Sequence, residues 1–363
     1  MYTLILLLFS SNIFCSGFYT QAIKNPSFKI NMWDELNKSI KDTARNWFIY
    51  RAEKAGINWT DMVNKNKENL NELQNIYKTI EDKSVRYPSY YKLPFHGYEN
   101  GNLNWEAALE GDAATLSIAV NYWKNNDPLL SEKWMRYNIS QHVNDYYLKH
   151  KIKLFQSALD VGCSVGISTE YMLKSFPNIN KLIGIDLSPY FLSLAKYNAI
   201  NKNLPITYYH KLAENTNFED NSFDFIICNF LFHEVPNEAT KLILNELNRI
   251  LKVNGVLALV DLDQQNLKDT LIVNSFRKWA FEVTEPHIEE YYKTDLGVLM
   301  ESNDFINIEK KKNDPINSVW IGQKQDLKSL GLKKPKLKFS KKNVKNDDDN
   351  FIIPPFTAEL LEI

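Results

Sequence analysis

Cysteine is scarce: the 363-residue chain has three, at positions 15, 163 and 228. They cannot build a disulfide scaffold, and their spacing matches no metal site. An excess of one charge is also missing, with 43 basic residues against 44 acidic ones. No global field therefore draws the chain to nucleic acid or to an anionic membrane. There is no internal repeat, and past the N-terminus no apolar run long enough to span a bilayer. What remains is a globular protein of ordinary apolar content, large enough for one sizeable domain with extensions.

The first segment present is apolar, from Leu4 to Phe9 and on to Phe14, followed by the small residues Ser16 and Gly17. It reads as a secretory signal peptide without a basic n-region. Gln21 to Met32 then holds Lys24 and Lys29 and no acid, as transit segments do. Signal followed by transit describes the leader of a complex plastid such as an apicoplast. The Lys- and Asn-rich composition suits AT-rich genomes where such leaders occur. The alternatives are the secretory pathway itself or an N-terminal membrane anchor. Residues 1–32 are assigned to this leader, 33–153 to a helical extension and cap, and 154–323 to the main domain. Residues 324–363 form a Lys-rich linker with an apolar tail. Lys333–Lys345 has only Phe339 among its charges and reads as solvated linker, not as a nucleic-acid surface.

Leu70, Leu73, Ile76 and Tyr77 recur at helical spacing, which predicts an amphipathic helix over Asn66–Ile80. Tyr87 to Trp123 begins as loop, with Pro88, Pro94, Gly97, Gly101 and Asn102, and becomes helical from Trp105. Beyond Phe155 short apolar runs alternate with helical stretches. The runs are Ser157–Val161, Lys181–Asp186, Ile206–Lys211, Phe223–Cys228 and Val256–Asp261. Thr169–Ser175, Tyr190–Ile200 and Thr240–Leu251 separate them. This alternation predicts βαβ units and a parallel sheet. Ile306–Lys311 and Ser318–Gly322 are expected to close its edge as a hairpin-like pair. Cys228 reads as a small buried side chain.

"SALDVGCSVGIST", Ser157 to Thr169, carries the chemistry. An apolar strand runs into Asp160, and Gly162 and Gly166 flank a short loop. Such a loop opens the crevice where a parallel sheet binds nucleotide-like ligands. Asp186 ends the next strand, twenty residues past Gly166, where a carboxylate accepts from two ribose hydroxyls. A dinucleotide and S-adenosylmethionine both carry a ribose. A dinucleotide loop needs three glycines, and here the matching positions are Gly162, Ser164 and Ile167. Asp160 also suits the cationic amine of a methionine moiety and would repel a pyrophosphate.

"LDVGCSVG", "LIGIDLSPYFLSLAK", "LAENTNFEDNSFDFIICNFLFHEVP" and "ELNRILKVNGVLALVD" occur in that order. Together they resemble the four successive motifs of the class I S-adenosylmethionine-dependent methyltransferases, type-11 family, over about Leu154 to Gln323. "YYKLPFHGYENGNLNWEAALEGDAATLS" and "TEPHIEEYY" further resemble a plant and algal plastid group of that family. The resemblance implies an α/β, Rossmann-like methyltransferase fold. Its sheet would be mostly parallel and seven-stranded, with helices on both faces and a helical N-terminal cap. It implies S-adenosyl-L-methionine as cofactor, held by Asp160, Gly162, Cys163, Ser164, Gly166, Asp186, Leu187, Ala213, Glu214, Asn229 and Phe230. Ser188 would cap the helix after Asp186, with Pro189 at its first position. Two departures stand out: Ser164 replaces the middle glycine, and Leu212 stands where relatives often have Asp or Asn beside the adenine.

Methyl transfer from a sulfonium needs positioning above all, and a base only where the acceptor must lose a proton. His233 and Glu234 follow the fourth strand and are the candidate catalytic pair. His96, Tyr98 and Trp105 from the upstream segment, with Tyr291 and Tyr292, are the candidate substrate-binding residues. The expected partner is a small, apolar or aromatic metabolite, with no nucleic acid and no membrane span after the leader. A binding module without turnover, an RNA or protein methyltransferase and a nicotinamide oxidoreductase are the competing readings.

Overall fold

The computed structural model describes residues 43, 45–120, 127–266, 282 and 284–326. The expected leader (1–32) and residues 327–363 of the expected linker and tail lie outside them, while Lys324, expected to open the linker, instead ends the last strand of the sheet. The chain divides into two units, Met1–Phe48 and Ile49–Ile363. Within the first, the described residues are helical. The second holds the sheet and the candidate site.

Before the first strand, residues 45–54 are helical, and they are followed by α1 (Trp59–Glu68), α2 (Leu70–Ile80), α3 (Trp105–Val120) and α4 (Pro128–Lys149). The single helix expected over 66–80 is split at Asn69, which ends α1 and begins α2. The apolar face reads through the break: Leu73 and Ile80 are buried, with Ile76 and Tyr77 partly so. Helix α4 opens with Asp127, whose side chain accepts from the Leu130 N–H, and Pro128 at the first position.

From there strands and helices alternate: β1 (Ser157–Val161), α5 (Ile167–Ser175), β2 (Lys181–Asp186), α6 (Pro189–Asn201), β3 (Ile206–His210), β4 (Phe223–Asn229), α7 (Asn237–Ile250) and β5 (Leu251–Leu262). Then come α8 (Ile288–Tyr291), α9 (Leu296–Ser302), β6 (Phe305–Lys312) and β7 (Asn317–Lys324). The seven strands form one sheet in the order β3-β2-β1-β4-β5-β7-β6. The first five are parallel, as the βαβ pattern predicts. β7 runs antiparallel to both β5 and β6, so the late pair completes the sheet as expected, with the later strand inside. The Ser188 hydroxyl accepts from the Phe191 N–H ahead of Pro189, which is the cap that the sequence predicts. Cys228 is fully buried in β4.

Central strands are covered on both faces, and β1 is buried at every position. Leu159, Val161, Ile185, Cys228 and Leu259 point to one face, against Ile243, Leu244 and Leu247 of α7 and Met300 of α9. Ala158, Leu182, Phe225, Ile227 and Ala258 point to the other, against Met135, Ile139, Val143 and Tyr147 of α4 and Met172 of α5. The residue-by-residue alternation is the two-residue period of a strand. The boundary expected at 153/154 therefore falls between α4 and the sheet that α4 covers. A third cluster joins α1, α2 and α3 to Phe191 and Leu194 of α6.

Candidate active site

The loop after β1 turns through left-handed backbone at Gly162 (φ 70°), Ser164 (φ 49°) and Gly166 (φ 87°). The N–H groups of Gly162 and Cys163 both donate to the Ile185 carbonyl, at 2.9 and 3.0 Å. At Gly166 a Cβ would stand 2.5 Å from the Tyr208 hydroxyl, so glycine is required there twice over, by conformation and by space. Ser164 takes the positive φ that a middle glycine would take freely, at a cost of roughly 1–2 kcal/mol. Its N–H offsets part of that by donating to Asp186 Oδ2 at 2.9 Å.

Asp186 ends β2 beside this loop, 8% exposed. Its other oxygen accepts from the Ser188 N–H at 2.8 Å. Burial pushes its pKa up to about 6, against the pull of the Ser188 and Ser164 N–H groups, and the neighbouring charge of Asp160 adds to the rise. Each oxygen keeps a further lone pair for a hydroxyl donor.

Asp160 is fully buried, on the α4 face of the sheet. Its Oδ2 accepts from the Ser168 and Thr169 hydroxyls at 2.6 and 2.7 Å, fastening the start of α5 to β1. Oδ1 lies 3.5 Å from the Asn229 amide nitrogen. Burial raises the Asp160 pKa, opposed by these hydrogen bonds and by the charge of Arg136 on α4. Two buried polar atoms in this neighbourhood have no hydrogen-bond partner, Asn229 Oδ1 and Arg136 Nη1. An orphaned acceptor and an orphaned cationic donor fit the ammonium and carboxylate ends of an amino acid. The donor set therefore fits S-adenosylmethionine.

The other expected cofactor residues surround the same strand ends. Leu187 is buried, and its carbonyl faces His210 Nε2 at 3.1 Å. Cys163 is buried, and burial holds its thiol well above the usual range. Phe230 turns at φ 59° and donates its N–H to the Val260 carbonyl. Ala213 and Glu214 lie in the turn that a bridge between Leu212 and Asn215 closes. Glu214 accepts from the Tyr90 hydroxyl, and burial raises its pKa. Tyr90 belongs to the short 3-10 helix Ser89–Lys92, which brings the upstream segment to the turn of Ala213 and Glu214.

On the far side of β4 stands a charged cluster. His233 Nδ1 donates to Asp261 Oδ1 at 2.7 Å, and Asp261 Oδ2 accepts from the Phe232 N–H. Burial opposes protonation of His233, but the Asp261 charge and hydrogen bond prevail and lift its pKa to about 9. Glu234 has a side chain 22% exposed. Burial lifts its pKa to about 7, against the pull of His96 and His233. His96 Nε2 lies 3.1 Å from Glu285 and 3.6 Å from Glu234. Tyr291 packs edge-on against His233, with its hydroxyl bonded to the Leu262 carbonyl.

The candidate substrate residues thus divide. His96 and Tyr291 join the cluster. Tyr98 donates to Glu110, and Trp105 packs between Tyr77 and Tyr190. Both sit with the α1–α3 cluster. Tyr292 packs against the α7 face of the core. Asp261, Glu285, Tyr90, Arg136, Ser168 and Thr169 had drawn no site expectation. Two had a visible signal, since Asp261 ends an apolar strand as Asp186 does, and Glu285 lies in "TEPHIEEYY".

Residues 159–259 match the protein family described as methyltransferase domain. Among similar proteins is an uncharacterised methyltransferase of Synechocystis, 34% identical over 107 residues, which are 30% of this chain and 47% of that protein. A demethylmenaquinone methyltransferase of Staphylococcus haemolyticus is 30% identical over 145 residues, 38% of this chain and 59% of its own. The chain thus spans about half the length of the curated relatives it matches. A solved structure of an O-methyltransferase family protein from Burkholderia thailandensis aligns with TM-score 0.46 and 14% identity, covering 61% of this chain and 63% of that one. Among the described residues, no helix is long and apolar enough to cross a membrane. Between β1 and β5, then, the chain resembles a methyltransferase domain.

Proposed function

We propose that the protein transfers a methyl group from S-adenosylmethionine to a small metabolite that is apolar or aromatic over most of its surface. The observation that carries this reading is Asp186, a nearly buried carboxylate at a strand end, tied to the β1 loop through the Ser164 N–H. Asp186 would accept from the ribose hydroxyls. Arg136 and Asn229 would meet the charged ends of the methionine moiety, and Ala213 and Glu214 the adenine. When bound, S-adenosylmethionine supplies a methyl group already activated on sulfur.

The chain's own residues supply position and proton handling. Glu234, with a pKa near 7, is poised to accept the acceptor's proton at neutral pH. His233, kept cationic by Asp261, would stabilise the negative charge left behind. Support for an aromatic acceptor comes from Tyr90 and Tyr91 upstream of the crevice, and from the several relatives named demethylmenaquinone methyltransferase. Calorimetric titration with S-adenosylhomocysteine and with NAD tests the reading. Binding of the first alone is expected, and binding of NAD alone would overturn it.

We further infer that residues 1–32 direct the protein to a plastid through the secretory pathway and are then removed. Mass spectrometry of the native N-terminus checks this, and a mature protein beginning at Met1 would sink it.

A further inference from the structure

We infer that Glu285 is a specificity-determining residue that binds an O–H or N–H donor on the acceptor molecule. The inference rests on the methyltransferase reading and names what its acceptor must carry. Glu285 is 4% exposed, and it reaches the far side of the catalytic cluster from the segment before α8. Its Oε1 faces His96 Nε2 at 3.1 Å. Its Oε2 is buried and has no hydrogen-bond partner among the described residues. A carboxylate oxygen left bare in a low-dielectric interior is costly, and such an atom in a site marks a missing donor.

The neighbouring side chains are placed so that none of them bonds to this oxygen. His96 is shared between Glu285 and Glu234. His233 is committed to Asp261. His287, whose pKa burial lowers, is itself unpartnered at its buried Nε2 and makes no hydrogen bond to Glu285. The cluster thus holds the carboxylates of Glu234, Glu285 and Asp261 against the two rings of His96 and His233. Within it, Glu285 Oε2 has no donor. The His96 side chain, 38% exposed, and the Glu234 side chain, 22% exposed, are the members of the cluster that reach solvent. An acceptor that is apolar throughout would leave Glu285 bare. One with a hydroxyl or an ammonium group would complete it and be turned with that end toward Glu234.

The test uses the full chain saturated with S-adenosylhomocysteine and three probes of one shape: 1-naphthol, 1-naphthylmethylamine and 1-methoxynaphthalene. Affinities are read by ligand-observed NMR titration. At least one of the two donor-bearing probes should bind about tenfold tighter than the ether. Naphthol in that place identifies a hydroxyl handle, and the amine an ammonium. Glu285→Gln should bring the preference to within about twofold while leaving S-adenosylhomocysteine affinity unchanged. Glu285→Asp, which keeps the charge but shortens the side chain, should retain an intermediate preference. Equal binding of the three probes, binding of none, or an undiminished preference in Glu285→Gln would each overturn the assignment. Failure of the unaltered chain to bind S-adenosylhomocysteine would overturn the methyl-donor reading itself, and this assignment with it.

Discussion

His233 on the turn after β4 donates to Asp261 at the end of β5 across 2.7 Å, and both residues are buried. On the proposed mechanism the pair, with Glu234 beside it, sets a pH dependence. Below about pH 7 Glu234 is protonated and cannot accept a proton. Above about pH 9 His233 is neutral and lends no charge. A plot of kcat/KM against pH should therefore be bell-shaped, with limbs near those values that belong to the cluster as a whole. Asp261→Asn removes the charge that raises His233, so the alkaline limb should move to lower pH. An alkaline limb that stays in place would deny Asp261 this role.

Asp186→Ala should weaken S-adenosylhomocysteine binding by about ten- to a hundred-fold, the value of charge-assisted hydrogen bonds to two hydroxyls. The same change frees the Ser164 N–H, so part of the loss would come from a loosened loop. Calorimetry on the folded variant decides, and unchanged affinity would remove Asp186 from the site.

Gly162→Val should abolish that binding by a different route. At φ 70° a β-branched residue is strained, and its Cβ would stand 3.4 Å from Leu231 Cδ1. The Leu231 side chain is the protein group that the new atoms meet first. The loop should therefore shift while circular dichroism stays near that of the unaltered protein. Normal binding in Gly162→Val would place the ligand elsewhere.

Met135→Ala tests whether α4 is part of the core. Met135 is fully buried between α4 and the sheet. Its truncation should cost about 2–5 kcal/mol in urea unfolding. A loss below about 1 kcal/mol would show that α4 rests on the sheet without supporting it.

What the sequence displays plainly is local. The Ser188 cap, the Pro189 start of α6, the loop glycines and the acid at the end of β2 each depend on a few neighbouring residues, and each stands where its pattern puts it. What it hides is pairing across distance. His233 and Asp261 are 28 residues apart, and they meet because β4 lies beside β5, an order fixed only by the closed sheet. Arg136 reaches the neighbourhood of Asp160 for a similar reason, from a helix before the first strand. Trp105 and Tyr98 mislead in the opposite direction. Their aromatic rings suit a binding pocket as well as a helix interface, and composition cannot separate the two. The break at Asn69 was likewise unmarked, since asparagine is tolerated in a helix and the apolar period continues through it.

The position of β7 between β5 and β6 bears on how the chain is made. β5 is complete at Leu262, but the strand that flanks it ends at Lys324. β6 is translated earlier, but in the folded sheet it pairs with β7 and not with β5. During synthesis β5 therefore waits with one side of its backbone unpaired until some sixty further residues have left the ribosome. An uncovered strand with an apolar run such as Val256–Val260 is a template for pairing with another nascent chain. Stalled or C-terminally shortened chains that stop before Asn317 would keep that edge open, and they would be the forms of this protein most dependent on chaperones.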